Sequence, residues 1–111
     1  MPDTPRDLWD FLRYCGAAKA ALEIVHSSPQ MGVKSAFTFG QGYGQLQMAL
    51  TGAGIQWRGV RPQVWQKEMQ CLTKGDKNVS KARAQQLFPK LKITHAIADA
   101  LLIAEWLRRQ P

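Results

Sequence analysis

The stretch Ala20-Ala21-Leu22-Glu23-Ile24-Val25-His26 decides the fold of this chain of 111 residues. Its apolar residues are followed by turn formers through Gly32, a pattern typical of a strand buried on both faces in a parallel sheet. Glu23 interrupts the apolar run. Because an unpaired buried charge is strongly unfavourable, this carboxylate must be paired, protonated or bound to a cation. A salt bridge or solvation at the end of the strand is the simplest account.

Length and hydropathy predict one domain, residues 1–111, with a single core. The chain has no apolar run of about 18 residues, so no transmembrane segment is predicted. Three aspartates in residues 1–15 argue against a signal peptide. Cys15 and Cys71 have no disulfide-framework spacing and are expected to be reduced thiols, which favours a cytoplasmic protein. They also lack the spacing of metal-ligand pairs with His26 or His95.

The net charge of +7 comes entirely from one third of the chain. Residues 58–92 contain nine basic and two acidic residues, whereas the remaining six basic and six acidic residues cancel. Such a segment favours a polyanionic partner, since phosphate contacts release counterions. A solvated helical face that only maintains solubility would give the same pattern.

The order of elements predicts an α/β fold. Helices are expected at about 7–17, 33–51, 62–72, 77–88 and 94–109, and strands at about 20–26 and 55–60. The long connection between the strands implies a parallel pair with a right-handed crossover. A strand of this kind expects a neighbour on each side, and the chain supplies one.

Glycines recur within the second predicted helix, in Gly40-Gln41-Gly42-Tyr43-Gly44. The run lacks the final glycine spacing and the preceding strand of a dinucleotide-binding fingerprint, so that interpretation is weak. Glycine inside a helix costs up to about 1 kcal/mol relative to alanine. We therefore expect Gly40 and Gly44, on one face, to allow close approach of a neighbouring helix.

Several segments, in collinear order, resemble the RuvC-like Holliday-junction resolvases of the ribonuclease H-like superfamily, especially phage and prophage versions. The segments are LEIVH (22–26), MGVKSAFTFGQGYG (31–44), VRPQVWQK (60–67), KGDK (74–77), LFP (87–89) and THAIADALLIAE (94–105). The resemblance implies a five-stranded mixed sheet flanked by helices. This chain resembles only the second half of that fold, which accounts for the missing sheet neighbour. The expected fold is thus a truncated ribonuclease H-like domain.

The resemblance also implies phosphodiester cleavage by carboxylates that hold two Mg²⁺ or Mn²⁺ ions. Glu23 matches the second acidic position of the family and Asp99 matches another, so both are predicted catalytic and metal-binding residues. The first family aspartate has no counterpart here, and Ala96 occupies a further acidic position. Because two carboxylates bind hydrated Mg²⁺ weakly, little or no nuclease activity is expected.

Branched DNA is the partner that the resemblance implies. The candidate phosphate contacts are Lys67, Lys74 and Lys77, with Lys34 and Arg61 as weaker candidates. His26 takes a position where some resolvases carry an aromatic residue near the junction bases, although a histidine at a strand end has the same appearance.

A homodimer is expected. Two alternative functions remain open. The first is a non-catalytic, self-associating domain of phage origin whose unpaired strand edge drives pairing. Alternatively, another chain could supply the first strands and complete an active nuclease.

Overall fold

The computed structural model describes residues 4–25, 28–73 and 75–111, and within them it has a mixed α/β fold of five helices and two strands. The elements are α1 (Pro5–Tyr14), β1 (Lys19–Glu23), α2 (Val33–Gly52), β2 (Gln56–Val60), α3 (Pro62–Glu68), α4 (Lys77–Leu87) and α5 (His95–Arg109). The predicted α/β class and element order are confirmed. None of the helices in these ranges combines the length and apolar character needed to cross a membrane.

The two strands pair in parallel. The Gln56 N–H donates to the Ala18 carbonyl at 3.2 Å, and the Ile24 N–H donates to the Val60 carbonyl at 2.8 Å. Glycine at position 59 is required by close approach, since a Cβ there would lie 2.9 Å from Ile24 Cγ1. The prediction that β1 is buried on both faces is wrong, because its residues are half-buried or exposed. The reason is that the described sheet has two strands, so β1 has a neighbour on one side.

The described residues form two compact units. We call the described residues of Met1–Ala20 and Val25–Arg58 the α1–α2 unit, and Ala21–Ile24 with Gly59–Pro111 the α3–α5 unit. In the α1–α2 unit, the Trp9 ring lies against the backbone of α2 so closely that a Cβ on Gly52 would meet its Cζ3 at 3.0 Å. Glycine at position 52 therefore gives the Trp9 ring room, and a side chain there would require the ring to shift by a few tenths of an ångström.

The predicted packing role of Gly40 and Gly44 is wrong within the described part of the chain. A Cβ built at either position meets no atom within 4 Å, and both glycines are exposed. The face of α2 that carries them therefore packs against no neighbouring helix among these residues.

The α3–α5 unit contains a continuous hydrophobic core. Its buried members are Val60, Trp65, Met69, Cys71, Ala84, Ile93, Ala98, Leu102 and Trp106. Trp65 and Leu102 are both 0% exposed. Since α4 and α5 each direct a small residue into this core, Ala84 and Ala98, the two helices can lie close together.

Local signals set most helix boundaries. Pro62 opens α3 and follows an extended Arg61, while the Asp76 carboxylate caps α4 by accepting from the Asn78 N–H at 2.9 Å. Thr94 occupies the N-cap of α5 as expected, but its side chain makes no capping hydrogen bond. The helix α1 begins earlier than expected because the Thr4 hydroxyl accepts from the Asp7 N–H at 3.0 Å.

The helix α3 ends at Glu68, before the predicted 72, because Gln70 has φ +61° in the left-handed region. The Gln70 N–H donates to Lys67 O at 3.2 Å and the Cys71 N–H donates to Gln66 O at 2.9 Å. These two bonds form a Schellman motif, whose left-handed position is usually glycine. A side chain is therefore accommodated there at an energetic cost.

The substitution Gln70→Gly is expected to raise the free energy of unfolding by about 0.5–1 kcal/mol, because it removes the Cβ clash in the left-handed conformation. Urea denaturation followed by far-UV circular dichroism measures the change. The matched control is Gln70→Ala, which removes the same amide but keeps the Cβ, and should give no comparable gain. An equal gain from both variants would show that the backbone conformation is not responsible.

Candidate nucleic-acid interface and carboxylate site

Glu23 is the last residue of β1 and is half-buried. The indole Nε1–H of Trp65 donates to Oε2 of Glu23 at 2.7 Å. A bond of this length is typical of a donor facing an ionised acceptor, and a buried tryptophan N–H usually finds such a partner. The need for a partner was predicted from sequence, but the indole was not among the partners considered. The signal that could have suggested it is Trp65 itself, because the N–H of a buried indole requires an acceptor.

Asp99 lies on α5 and is exposed. Its charge contributes to raising the pKa of the buried Cys71 thiol above the usual value, although burial of the thiol is the larger cause. The Ser80 hydroxyl, by hydrogen bonding, and the Arg83 guanidinium oppose that rise in pKa. Asp99 therefore acts on the Cys71 thiol through its charge, while the residue itself is exposed.

Both predicted acids belong to the α3–α5 unit, Glu23 as the acceptor of the Trp65 indole N–H and Asp99 as an exposed residue of α5. Ala96 lies almost one turn before Asp99 on α5 and contributes no carboxylate. Among the described residues, no group of three or more His, Cys, Asp or Glu side chains is arranged to hold a metal. Two carboxylates, one of them accepting from an indole, do not supply the oxygen ligands of a two-ion centre.

The predicted phosphate contacts divide between the two units. Arg61, Lys67 and Lys77 belong to the α3–α5 unit and are exposed. Within the described part of the chain they form no ion pair. Lys34 is exposed in the first turn of α2, in the other unit. The predictions for His26 and Lys74 fall outside the described residues.

The α3–α5 unit is basic by composition, with ten basic and five acidic residues, a net charge of +5. Two of the ten cations are held in ion pairs, since Arg108 and Arg109 both pair with Glu105 and hold its pKa below the usual value. Arg83 has a structural role, because its Nε–H donates to the Met69 carbonyl at 2.8 Å. The exposed cations that remain are those of the loops and of α3 and α4.

The first turns of α4 and α5 meet through a side-chain contact that sequence reasoning missed. Nε2 of His95, the first residue of α5, lies 3.0 Å from Oδ1 of Asn78 in the first turn of α4. Helix N-termini carry partial positive charge and free N–H groups, and Lys77 adds a full charge at the start of α4. The Asp76 carboxylate that caps α4 offsets the charge of Lys77 and already accepts from the Asn78 N–H, so this contact is not an anion site by itself.

Comparison with protein-family models and with curated proteins found no match to this chain.

Proposed function

We propose that this protein is a resolvase-like domain that binds branched DNA through the α3–α5 unit. One observation carries the proposal: Arg61, Lys67 and Lys77 are exposed and form no ion pair within the described ranges of a unit whose net charge is +5. Exposed cations that form no ion pair favour phosphate contacts, which dominate affinity for nucleic acids. The proposal includes a homodimer and a cytoplasmic location.

The same proposal assigns the chain little or no cleavage activity. In the resolvases that it resembles, Mg²⁺ or Mn²⁺ supplies the activated water, but the described carboxylates do not fit a two-ion centre. Glu23, held by Trp65, has a structural role here, and no catalytic step is assigned to Glu23 or Asp99. We expect no strand scission when the protein is incubated with Mg²⁺ and a four-way junction. Scission at symmetric positions, measured on a denaturing gel, would contradict this assignment.

Binding is tested by fluorescence anisotropy with a labelled four-way junction and a linear duplex of the same length, in EDTA and at several salt concentrations. We expect tighter binding to the junction and a slope of log K against log salt of several units. The triple variant Arg61→Gln, Lys67→Gln, Lys77→Gln removes three proposed phosphate contacts. It should reduce the slope by about 3 and the affinity by at least about tenfold.

The matched control removes three exposed charges elsewhere, in the variant Arg6→Gln, Arg13→Gln, Lys19→Gln. Both triple variants have the same net charge, so a local interface predicts a loss only in the first. Equal losses would show that the total charge, and not this surface, drives binding. Absence of binding at low salt would overturn the proposal, and equal affinity for junction and duplex would remove its preference for branched DNA.

A further inference from the structure

The turn that ends α3 holds a side chain where the backbone conformation favours glycine. Gln70 has φ +61° and occupies the left-handed position of the Schellman motif. Glycine adopts this conformation freely, whereas other residues adopt it at an energetic cost. Backbone strain of this kind persists where the surrounding structure fixes it, and it is concentrated at functional sites. The glutamine at this position therefore needs an explanation.

Packing within the protein does not explain this glutamine. Its two chain neighbours, Met69 and Cys71, are 0% and 1% exposed and belong to the core, whereas Gln70 itself is exposed. Among the described residues, the side-chain amide of Gln70 makes no hydrogen bond. Glycine at this position would keep every backbone hydrogen bond of the turn. The side chain thus costs stability without returning a hydrogen bond inside the described part of the chain.

The backbone on both sides of Gln70 is held by hydrogen bonds. The N–H groups of residues 69–71 donate to carbonyls of α3, at 2.9, 3.2 and 2.9 Å. The Met69 carbonyl accepts from Nε of Arg83 at 2.8 Å. The Gln70 side chain therefore extends from a backbone that is already fixed, which lowers the entropy lost when its amide binds a ligand.

Two basic residues adjoin this turn through hydrogen bonds. Lys67, a proposed phosphate contact, accepts the Gln70 N–H with its carbonyl, and Arg83 reaches the turn from α4. Glu68 is the acidic residue of α3, and its carboxylate accepts from the Gln110 amide at 3.1 Å. The carbonyls that end α3 are occupied by the bonds of the turn, which limits their repulsion of an anion. Cations next to a fixed neutral donor favour a phosphate oxygen as its acceptor.

We infer that the side-chain amide of Gln70 donates to a phosphate oxygen of the bound DNA and fixes the orientation of the DNA backbone on the α3–α5 unit. This inference deepens the proposed function and rests on it. Lys67 supplies charge on a flexible side chain, whereas an amide carried by a rigid turn defines where the phosphate group lies. The glutamine then serves binding at the expense of stability.

The inference is tested by measuring the affinity of three variants for the four-way junction in EDTA, with the same anisotropy assay. Gln70→Gly and Gln70→Ala remove the amide and should each weaken binding about tenfold or more, since the lost hydrogen bond has a charged acceptor. The slope of log K against log salt should not change, because the amide carries no charge. The matched control Gln41→Ala removes an exposed amide of the other unit and should bind like wild type.

Comparing affinity with stability separates binding from a purely structural role. Gln70→Gly is expected to be more stable than wild type, so unfolding does not account for its weaker binding, and urea denaturation checks this. The inference is overturned if Gln70→Gly or Gln70→Ala binds like wild type, if the salt slope falls with the affinity, or if Gln41→Ala loses as much. Each of these results leaves junction binding by the wild type, and with it the proposed function, intact. Absence of binding by the wild type overturns both.

Discussion

Replacing Trp65 with alanine is expected to lower the free energy of unfolding of the α3–α5 unit by about 3–5 kcal/mol. Trp65 is 0% exposed and belongs to the core of this unit, so its removal leaves a large cavity. It also removes the indole N–H that donates to the half-buried Glu23 carboxylate at 2.7 Å. Urea denaturation followed by far-UV circular dichroism measures the loss.

The two contributions of Trp65 can be separated with a double-mutant cycle. Trp65→Phe keeps an aromatic ring in the core but removes the N–H, and Glu23→Ala removes the acceptor carboxylate. If the bond contributes to stability, the effects of the two substitutions should fall short of additivity by about 1–3 kcal/mol. Strict additivity would show that the contact between Trp65 and Glu23 carries no stabilising energy.

Replacing Leu102 with alanine is expected to cost about 2–5 kcal/mol. Leu102 lies on α5, is 0% exposed and packs in the same core as Trp65. The loss combines the transfer free energy of the removed atoms with the cavity that they leave. The same urea denaturation experiment measures it.

The matched control is Leu101→Ala, one position earlier on α5. Helix propensity changes equally in both variants, but Leu101 is half-buried at the margin of the core. We expect it to cost about 1 kcal/mol, less than half of the Leu102→Ala effect. Equal costs at the two positions would contradict the description of this core.

Local residues made much of the fold predictable. Pro62 and Asp76 mark the starts of α3 and α4 because each acts on its own backbone turn, through a fixed φ or a capping carboxylate. The end of α3 was mistaken because Gln70 adopts the left-handed conformation without being glycine. The depth of β1 was overestimated because apolar composition does not reveal how many neighbours a strand has.

The candidate site was less predictable, because its contacts join distant parts of the chain. The sequence shows that Glu23 needs a partner, but Trp65 is 42 residues away and only tertiary packing brings it there. The packing role predicted for Gly40 and Gly44 was wrong because glycines in a helix do not always mark a close approach, and a Cβ at either position meets no atom within 4 Å. The exposure of the candidate cations is easier to predict, because a charged side chain is rarely buried in a core, whatever the fold.

The two cysteine thiols differ in solvent exposure, so their labelling can report on the opening of the α3–α5 unit. Cys15 is exposed, whereas Cys71 is buried and follows directly on the Schellman motif that ends α3. A thiol reagent should therefore label Cys15 at once and Cys71 only when the α3–α5 unit opens, since labelling needs both access and the thiolate. At reagent concentrations where labelling is faster than reclosing, the rate of the second labelling step gives the opening rate of that unit, with no engineered probe.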